Sequence, residues 1–174
     1  MTHYNTSERS CYNTIGDSMT KTNAMRLLEA AGIPFRAAEY EYEDSDLSGV
    51  HAAAAMNMPV EQVFKTLVAR GDRTGPAVFC IPVGDELDLK KAASVSGNKR
   101  VEMLHVKELL PLTGYIRGGC SPVGMKKQFP TYLDETATLF EQILVSAGKR
   151  GLQLVVDPQQ LCAFLGGNFA DLTM

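Results

Sequence analysis

The chain has 174 residues, of which 45% are hydrophobic and 21% are charged, and its formal net charge at pH 7 is −3. This composition predicts one globular domain with a substantial core. It excludes a membrane-spanning helix, which needs roughly 20 consecutive apolar residues, and the N-terminus lacks the order of a secretory signal, so we expect a cytoplasmic protein without a membrane partner.

Charge is unevenly distributed along the chain. Residues 1–62 contain four basic and nine acidic residues, whereas residues 88–127 contain eight basic and three acidic ones. A basic middle segment suits a ligand that carries phosphate groups. Lysines on an ordinary solvated surface would give the same count, so both interpretations stay open.

The cysteines and histidines do not predict a metal site. Four cysteines are spread without a CxxC pair, which favours free thiols over disulfides (Cys11, Cys80, Cys120 and Cys162). Three histidines show no metal-ligand spacing (His3, His51 and His105). We expect no metal and no organic cofactor.

The order of predicted elements favours an α+β fold. Residues 1–19 are polar and are interpreted as a flexible N-terminal extension to a domain of residues 20–174. Helices are predicted after Thr22, after Ser48, in "LDLKKAASVSG" and from Pro158. Strands are predicted in "PFRAAEYEYE", "QVFKTLVAR", "PAVFCIPV", "EQILVSAG" and "GLQLVVD". "VKELLPLTG" is interpreted as a helical turn closed by Pro111 and Gly114, and "KRVEML" is too short to assign.

The segment "YIRGGCSPVGMKKQFPTYLD" concentrates glycine, cysteine, serine and lysine. Cys120 and Ser121 could be nucleophiles only with a base in reach, and the segment does not match G-x-S-x-G, so a covalent hydrolase is a weak interpretation. The adjacent Gly118 and Gly119 allow backbone N–H groups to approach a ligand as an oxyanion hole or an anion nest. Spacing alone favours a simple glycine-rich turn.

Two basic segments raise the same choice between binding and structure. Lys65 shares a strand face with Leu67 and Ala69, so it either lies at a strand edge with its ammonium in water or points into a pocket that binds an anion. The pattern favours the edge. "SAGKRG" fails the P-loop pattern and is typical of a tight turn, in which Lys149 and Arg150 could still contact phosphate.

The segments "VFKTLV", "LDLKK", "KRVEM", "TGYIRGGCSPVGMKK", "PTYLDE" and "VSAGKRGLQL" follow one another in an order that resembles the YbaK-type Cys-tRNA(Pro) deacylases. These proteins are free-standing relatives of the editing domain in bacterial prolyl-tRNA synthetase. The resemblance runs from about Thr22 to the C-terminus. It implies a mixed, strongly curved sheet that forms a partial barrel with surrounding helices. It also implies hydrolysis of the ester that joins a wrong amino acid to the 3′ end of tRNA(Pro), a step in translation fidelity.

The resemblance also assigns roles to residues. Lys65 would contact the tRNA end, and the amides of the loop from Gly118 to Pro122 would hold the ester carbonyl and a ribose hydroxyl. The implied catalytic residues are Lys65, Gly118 and Gly119. The implied substrate-binding residues are Tyr40 (with Tyr42 as a less favoured register), Lys65, Cys120, Ser121, Pro122, Ser146 and Gly148.

Two positions modify that assignment. Cys120 occupies a variable position of its loop, so we do not assign it as the catalytic nucleophile. Ala147 stands where many relatives have glycine, and its methyl group is expected to narrow the space for the amino-acid side chain. Lys126 and Lys127 are expected to add positive charge nearby.

The implied mechanism needs no protein nucleophile. An aminoacyl ester is already activated, and one donor placed at its carbonyl oxygen contributes about 3 kcal/mol to catalysis. The resemblance suggests that the thiol of the substrate cysteine attacks its own ester, and an ordered water is the alternative. Two other functions stay open: an Ala-tRNA(Pro) deacylase of the same superfamily, and a non-catalytic module that binds the tRNA end or a nucleotide. Expected partners are aminoacyl-tRNA and, because the net charge predicts weak tRNA affinity, prolyl-tRNA synthetase.

Overall fold

The computed structural model describes residues 20–174, and the predicted extension of residues 1–19 lies outside the described residues. The described helices are α1 (Asn23–Ala30), α2 (Gly49–Ala55), α3 (Leu89–Ser96), α4 (Val106–Thr113) and α5 (Pro158–Leu165). The strands are β1 (Phe35–Glu39), β2 (Phe64–Gly71), β3 (Gly75–Pro82), β4 (Val101–Met103), β5 (Thr131–Asp134), β6 (Ile143–Lys149), β7 (Leu152–Val156) and β8 (Asn168–Ala170). A 3₁₀ helix, Glu135–Leu139, follows β5. The predicted α+β class is confirmed.

The strands form two sheets that meet at one junction. The first sheet has the order β1-β7-β6 and is antiparallel, and the second has the order β4-β2-β3-β5-β8. The second sheet is mixed, because β3, β5 and β8 are parallel to one another whereas β2 is antiparallel to its neighbours. A parallel bridge between Val63 and Leu144 joins the two sheets ahead of β2. The sheets do not close into a barrel.

Local capping explains where the helices begin. The Thr22 hydroxyl accepts a hydrogen bond from the Met25 N–H (3.3 Å), and the Ser48 hydroxyl accepts one from the His51 N–H (3.2 Å). Asp157 caps α5 in the same way, ahead of Pro158 at the first helical position. These starts confirm the helix predictions made from capping residues.

Several boundaries differ from the sequence predictions. β1 ends at Glu39, so the tyrosines at 40 and 42 follow the strand instead of extending it. Pro111 lies inside α4 and does not close it, because the fixed φ of proline is compatible with a helix even though one N–H donor is lost. The segment "KRVEML" contains β4. β5 and β8 were not predicted, since their partners are distant in sequence and their parallel pairing leaves no local turn signal.

The core lies on both sides of the sheets. α1 packs on β6 of the first sheet through apolar side chains that include Leu28. α5 packs on β5 of the second sheet through side chains that include Leu161, and α3 packs beside β4 of the second sheet through Ala92 and Ala93. Three of the four cysteines are within the described range and are free and buried, as predicted (Cys80, Cys120 and Cys162). Among residues 20–174, no helix combines the length and apolar composition needed to cross a bilayer.

Candidate active site

A cavity of about 370 Å³ is lined by residues of both sheets and by the loops between them. Cavities of this size are typical of small-molecule sites. Five of the residues assigned from the sequence line it: Tyr40, Lys65, Gly118, Cys120 and Ser146. The other four, Gly119, Ser121, Pro122 and Gly148, do not line it.

Lys65 lines the cavity from an uncovered edge of β2, so its position combines the two interpretations, the strand edge and the pocket. β4 pairs with residues 69–71 of β2, and within the described part of the chain no strand covers this flank of β2 beside Lys65. The side chain is half-buried, and no residue within 20–174 forms a hydrogen bond or ion pair with its ammonium. Burial lowers the pKa of Lys65, while the charges of Glu86 and Asp85 act in the opposite direction. An unpaired, partly desolvated ammonium is a binding group for an anionic or polar ligand.

The glycine pair forms a tight turn at the edge of the cavity. The Gly119 N–H donates to the Ile116 carbonyl (3.0 Å), and Gly118 has a φ of +84°. A type II turn requires a left-handed conformation at its third residue, and glycine adopts that conformation without strain. The Gly119 amide is therefore already hydrogen-bonded, whereas the Gly118 N–H has no partner within the described residues. Of the two glycines, Gly118 is therefore the one whose backbone donor is left for a ligand.

Gly119 has a packing role instead. A Cβ at this position would lie 3.1 Å from the Arg150 nitrogen and 3.2 Å from the Lys149 carbonyl carbon. Both are backbone atoms, so only glycine lets the turn approach the β6–β7 connection this closely.

The rest of the loop is buried. The Ser121 hydroxyl is fully buried and accepts a hydrogen bond from the Val123 N–H (3.2 Å), so it shapes the loop and does not reach the cavity. Pro122 is also buried. Cys120 lines the cavity, but burial raises the pKa of its thiol to about 12. The thiol is protonated near neutral pH, which agrees with its exclusion as a nucleophile.

Tyr40 and Ser146 also line the cavity. Tyr40 lines the cavity while Tyr42 is exposed, so the first register is the one that reaches it. The Ser146 hydroxyl accepts a hydrogen bond from the Gly148 N–H (3.2 Å) within a bulge of β6. The methyl group of Ala147 packs in the core and not against the cavity, so the expected narrowing at this position is wrong.

Of the remaining basic residues and histidines predicted from the sequence, some line the cavity and others lie on the surface. Lys126, Lys127 and Lys149 are exposed and do not line the cavity, so any charge that they add acts from outside it. His105, at the start of α4, lines the cavity, whereas His51 does not and lies 3.7 Å from Asp46. Within residues 20–174, no group of three or more histidine, cysteine or acidic side chains could bind a metal ion.

Gln153 is a cavity residue that the sequence analysis missed. It pairs with Ser146 across the first sheet, is 6% exposed and lines the cavity. Its side-chain oxygen is buried without a hydrogen-bond partner among the described residues. A single polar residue in the buried strand "GLQLVVD" was the available signal. Because an unpaired buried amide costs free energy of folding, we interpret Gln153 as a residue kept for the site.

Comparison with known proteins identifies the family. Residues 47–164 match the model of the aminoacyl-tRNA editing domain, and this range contains all the cavity residues discussed above except Tyr40. The chain belongs to the aminoacyl-tRNA editing domain family. The family and fold expected from the sequence resemblance are confirmed.

Individual relatives agree with this assignment. A protein of Enterococcus faecalis named "Putative Cys-tRNA(Pro)/Cys-tRNA(Cys) deacylase EbsC" is 51% identical over 88% of this chain and 93% of its own length. A solved structure described as "a putative trans-editing enzyme for prolyl tRNA synthetase" has 28% identity and a TM-score of 0.76, covering 89% of this chain and 99% of its own. The structure of hypothetical protein APE2540 shares the fold, with a TM-score of 0.78 at 22% identity over 86% of this chain and 97% of its own.

We predict that Gln153→Met leaves the free energy of unfolding unchanged or raises it by up to about 1 kcal/mol, because the replaced oxygen has no partner. The matched control is Gln62→Met, which removes a hydrogen bond from the Gln62 amide to the Gln142 carbonyl (2.8 Å). That variant should lose about 1 kcal/mol. Urea unfolding of both variants makes the comparison. Equal destabilisation would show that the Gln153 amide is paired in the folded protein.

Proposed function

We propose that this chain hydrolyses the ester of mischarged Cys-tRNA(Pro) as a free-standing editing enzyme. Membership of the aminoacyl-tRNA editing family and the name of the 51% identical relative support this function. The observation that carries it is that the Lys65 ammonium and the Gly118 amide, both unpaired within residues 20–174, share one cavity. Hydrolysis of an ester at the end of a nucleic acid uses both groups: a cation that binds the nucleotide and a backbone donor that stabilises charge on the ester oxygen.

The roles in the site follow from this geometry. Lys65 binds the phosphate or sugar oxygens of the terminal nucleotide, and the Gly118 N–H stabilises the negative charge that develops on the ester oxygen. Gly119 places that turn against the β6–β7 connection. Tyr40, Cys120 and Ser146 form walls around the aminoacyl group, and Ser121, Pro122 and Gly148 hold those walls in place.

The attacking group comes from the substrate. The cysteine sulfur forms a bond to its own ester carbonyl carbon, the ester C–O bond breaks, and the thiol proton passes to the ribose 3′ oxygen that leaves. Water then opens the resulting cyclic thioester and releases free cysteine. The high pKa of Cys120 and the buried, hydrogen-bonded hydroxyl of Ser121 support a route without a protein nucleophile.

We expect Cys-tRNA(Pro) to be hydrolysed about 100-fold faster than the seryl, 2-aminobutyryl, alanyl and prolyl esters of the same tRNA, because only cysteine carries a thiol and the serine hydroxyl is a much weaker nucleophile. Single-turnover deacylation of the five substrates measures this. Equal rates for cysteinyl and 2-aminobutyryl esters would favour an ordered water over attack by the thiol. Selective loss of alanine would identify an alanine editor, and binding without hydrolysis would identify a non-catalytic module.

We predict that Lys65→Met lowers kcat/KM for Cys-tRNA(Pro) by about 100-fold, since a charge-assisted contact is lost. The melting temperature should not fall, because an unpaired and partly desolvated ammonium is removed. Lys90→Met is the matched control, because Lys90 is exposed on α3 and does not line the cavity. Activity in Lys65→Met equal to that of Lys90→Met would contradict the role given to Lys65.

We also propose prolyl-tRNA synthetase as a partner and the cytoplasm as the location. The net charge of −3 supports the synthetase as a partner, because a chain with little positive charge gains little affinity from tRNA phosphates. Prolyl-tRNA synthetase, as the source of the mischarged tRNA, would supply the missing affinity by holding the substrate near the cavity.

We therefore expect added prolyl-tRNA synthetase to lower KM for Cys-tRNA(Pro) by about 10-fold at unchanged kcat. Steady-state deacylation with and without the synthetase tests this, and serum albumin at equal concentration is the control. An unchanged KM, together with separate elution of the two proteins in the presence of tRNA, would remove the synthetase from the proposal.

A further inference from the structure

Arg150 connects three segments at the edge of the cavity. It lies in the turn between β6 and β7, and its Nε–H donates to the Arg117 carbonyl (3.0 Å). Its Nη1 lies 3.6 Å from an Asp44 carboxylate oxygen in the loop before α2. Asp44 is highly exposed, so that ion pair contributes little to stability. The bond to Arg117 is the contact that bears on the site.

The Arg117 carbonyl and the Gly118 N–H belong to the same peptide group. A peptide group is planar and trans, so its C=O and N–H point in opposite directions. Arg150 holds the C=O end and does not line the cavity, whereas Gly118 does. The bond that fixes the Arg117 carbonyl toward Arg150 therefore directs the Gly118 N–H away from Arg150. A ligand in the cavity would accept a hydrogen bond from the N–H in that direction.

This peptide is the central one of the turn between Ile116 and Gly119. Type I and type II turns differ mainly in the orientation of that central peptide, with the third residue at a φ near −90° or near +80°. Gly118 is at +84°, and glycine tolerates both conformations. The turn sequence alone does not fix the N–H direction, so an external contact is required.

We propose that Arg150 is a positioning residue that locks the central peptide of this turn and so aims the Gly118 amide into the cavity. This inference rests on the proposed function, because it assigns a purpose to the donor at the ester oxygen. A donor that is already oriented costs no reorganisation during the reaction, and that is the main source of its catalytic value. Arg150 acts through Gly118 and does not touch the substrate.

Packing around the glycine agrees with this role. A Cβ on Gly118 would lie 3.3 Å from the Leu47 Cβ and 3.4 Å from the Arg150 Nε. The turn is thus flanked by Arg150 and by the loop that contains Asp44 and Leu47. This interpretation replaces the sequence-based idea that Arg150 contacts a phosphate, since its guanidinium is engaged with the protein.

The test compares Arg150→Ala, Arg150→Lys and Asp44→Asn in the 174-residue chain. Arg150→Ala should lower kcat for Cys-tRNA(Pro) by about 10- to 100-fold with KM within about twofold, because the donor is present but no longer oriented. Arg150→Lys should be equally impaired, since lysine keeps the charge but lacks the planar Nε donor. Asp44→Asn should retain wild-type kcat. The proposal would be overturned in favour of a phosphate contact if Arg150→Lys kept its activity and Arg150→Ala changed KM and its salt dependence.

A structural readout separates this inference from the proposed function. The Gly118 amide should give one resonance in ¹⁵N NMR spectra of the wild type and of Asp44→Asn, and a shifted or doubled resonance in Arg150→Lys. An unchanged Gly118 resonance would overturn the proposal whatever the enzyme hydrolyses. A wild type that hydrolyses no ester, with a Gly118 amide that depends on Arg150, would refute the proposed reaction and leave the positioning role in place.

Discussion

The junction between β2 and β6 is the constraint on which the site depends. Val63 and Leu144 form the bridge between the two sheets and are almost completely buried, and the Gln62 side chain donates to a carbonyl beside it (2.8 Å). Two strands that meet at one point must present their following residues to the same space. Lys65 on one sheet and Ser146 on the other therefore line one cavity. The cavity is a consequence of how the sheets join, and its chemistry depends on which side chains follow the junction.

Three residues in the cavity are arranged at a cost to folding. Among the residues that the structure describes, the partly desolvated Lys65 ammonium has no counter-ion in contact, and the buried Gln153 side-chain oxygen has no donor. Gly118 leaves its N–H without a hydrogen-bond partner among residues 20–174, in a turn that glycine adopts without strain. Each arrangement is unfavourable in the unliganded fold, and each becomes favourable when a polar, negatively polarised ligand is bound. This common feature distinguishes the cavity from an ordinary packing defect, which is apolar.

The sequence predicted the parts of the fold that depend on local chemistry. Capping at Thr22 and Ser48 and the paired strands on either side of "GDRTG" are local signals, and all of them are present in the structure. The short strands β5 and β8 were missed because they form through distant parallel pairing. At the site, motif order located Lys65 and the glycine loop. It could not show that the Gly119 amide is already bonded or that Gln153 faces the cavity, because both depend on tertiary contacts.

The central claim is that this cavity binds the aminoacylated end of a tRNA. The most direct test is an NMR titration of the protein with a hydrolysis-resistant cysteinyl-adenosine analogue whose ester is replaced by an amide. We expect saturable shifts at the Gly118 backbone amide and at the Lys65 side chain, with none at the exposed Lys90. Shifts confined to surface lysines, or saturation without any change at Gly118 and Lys65, would contradict it.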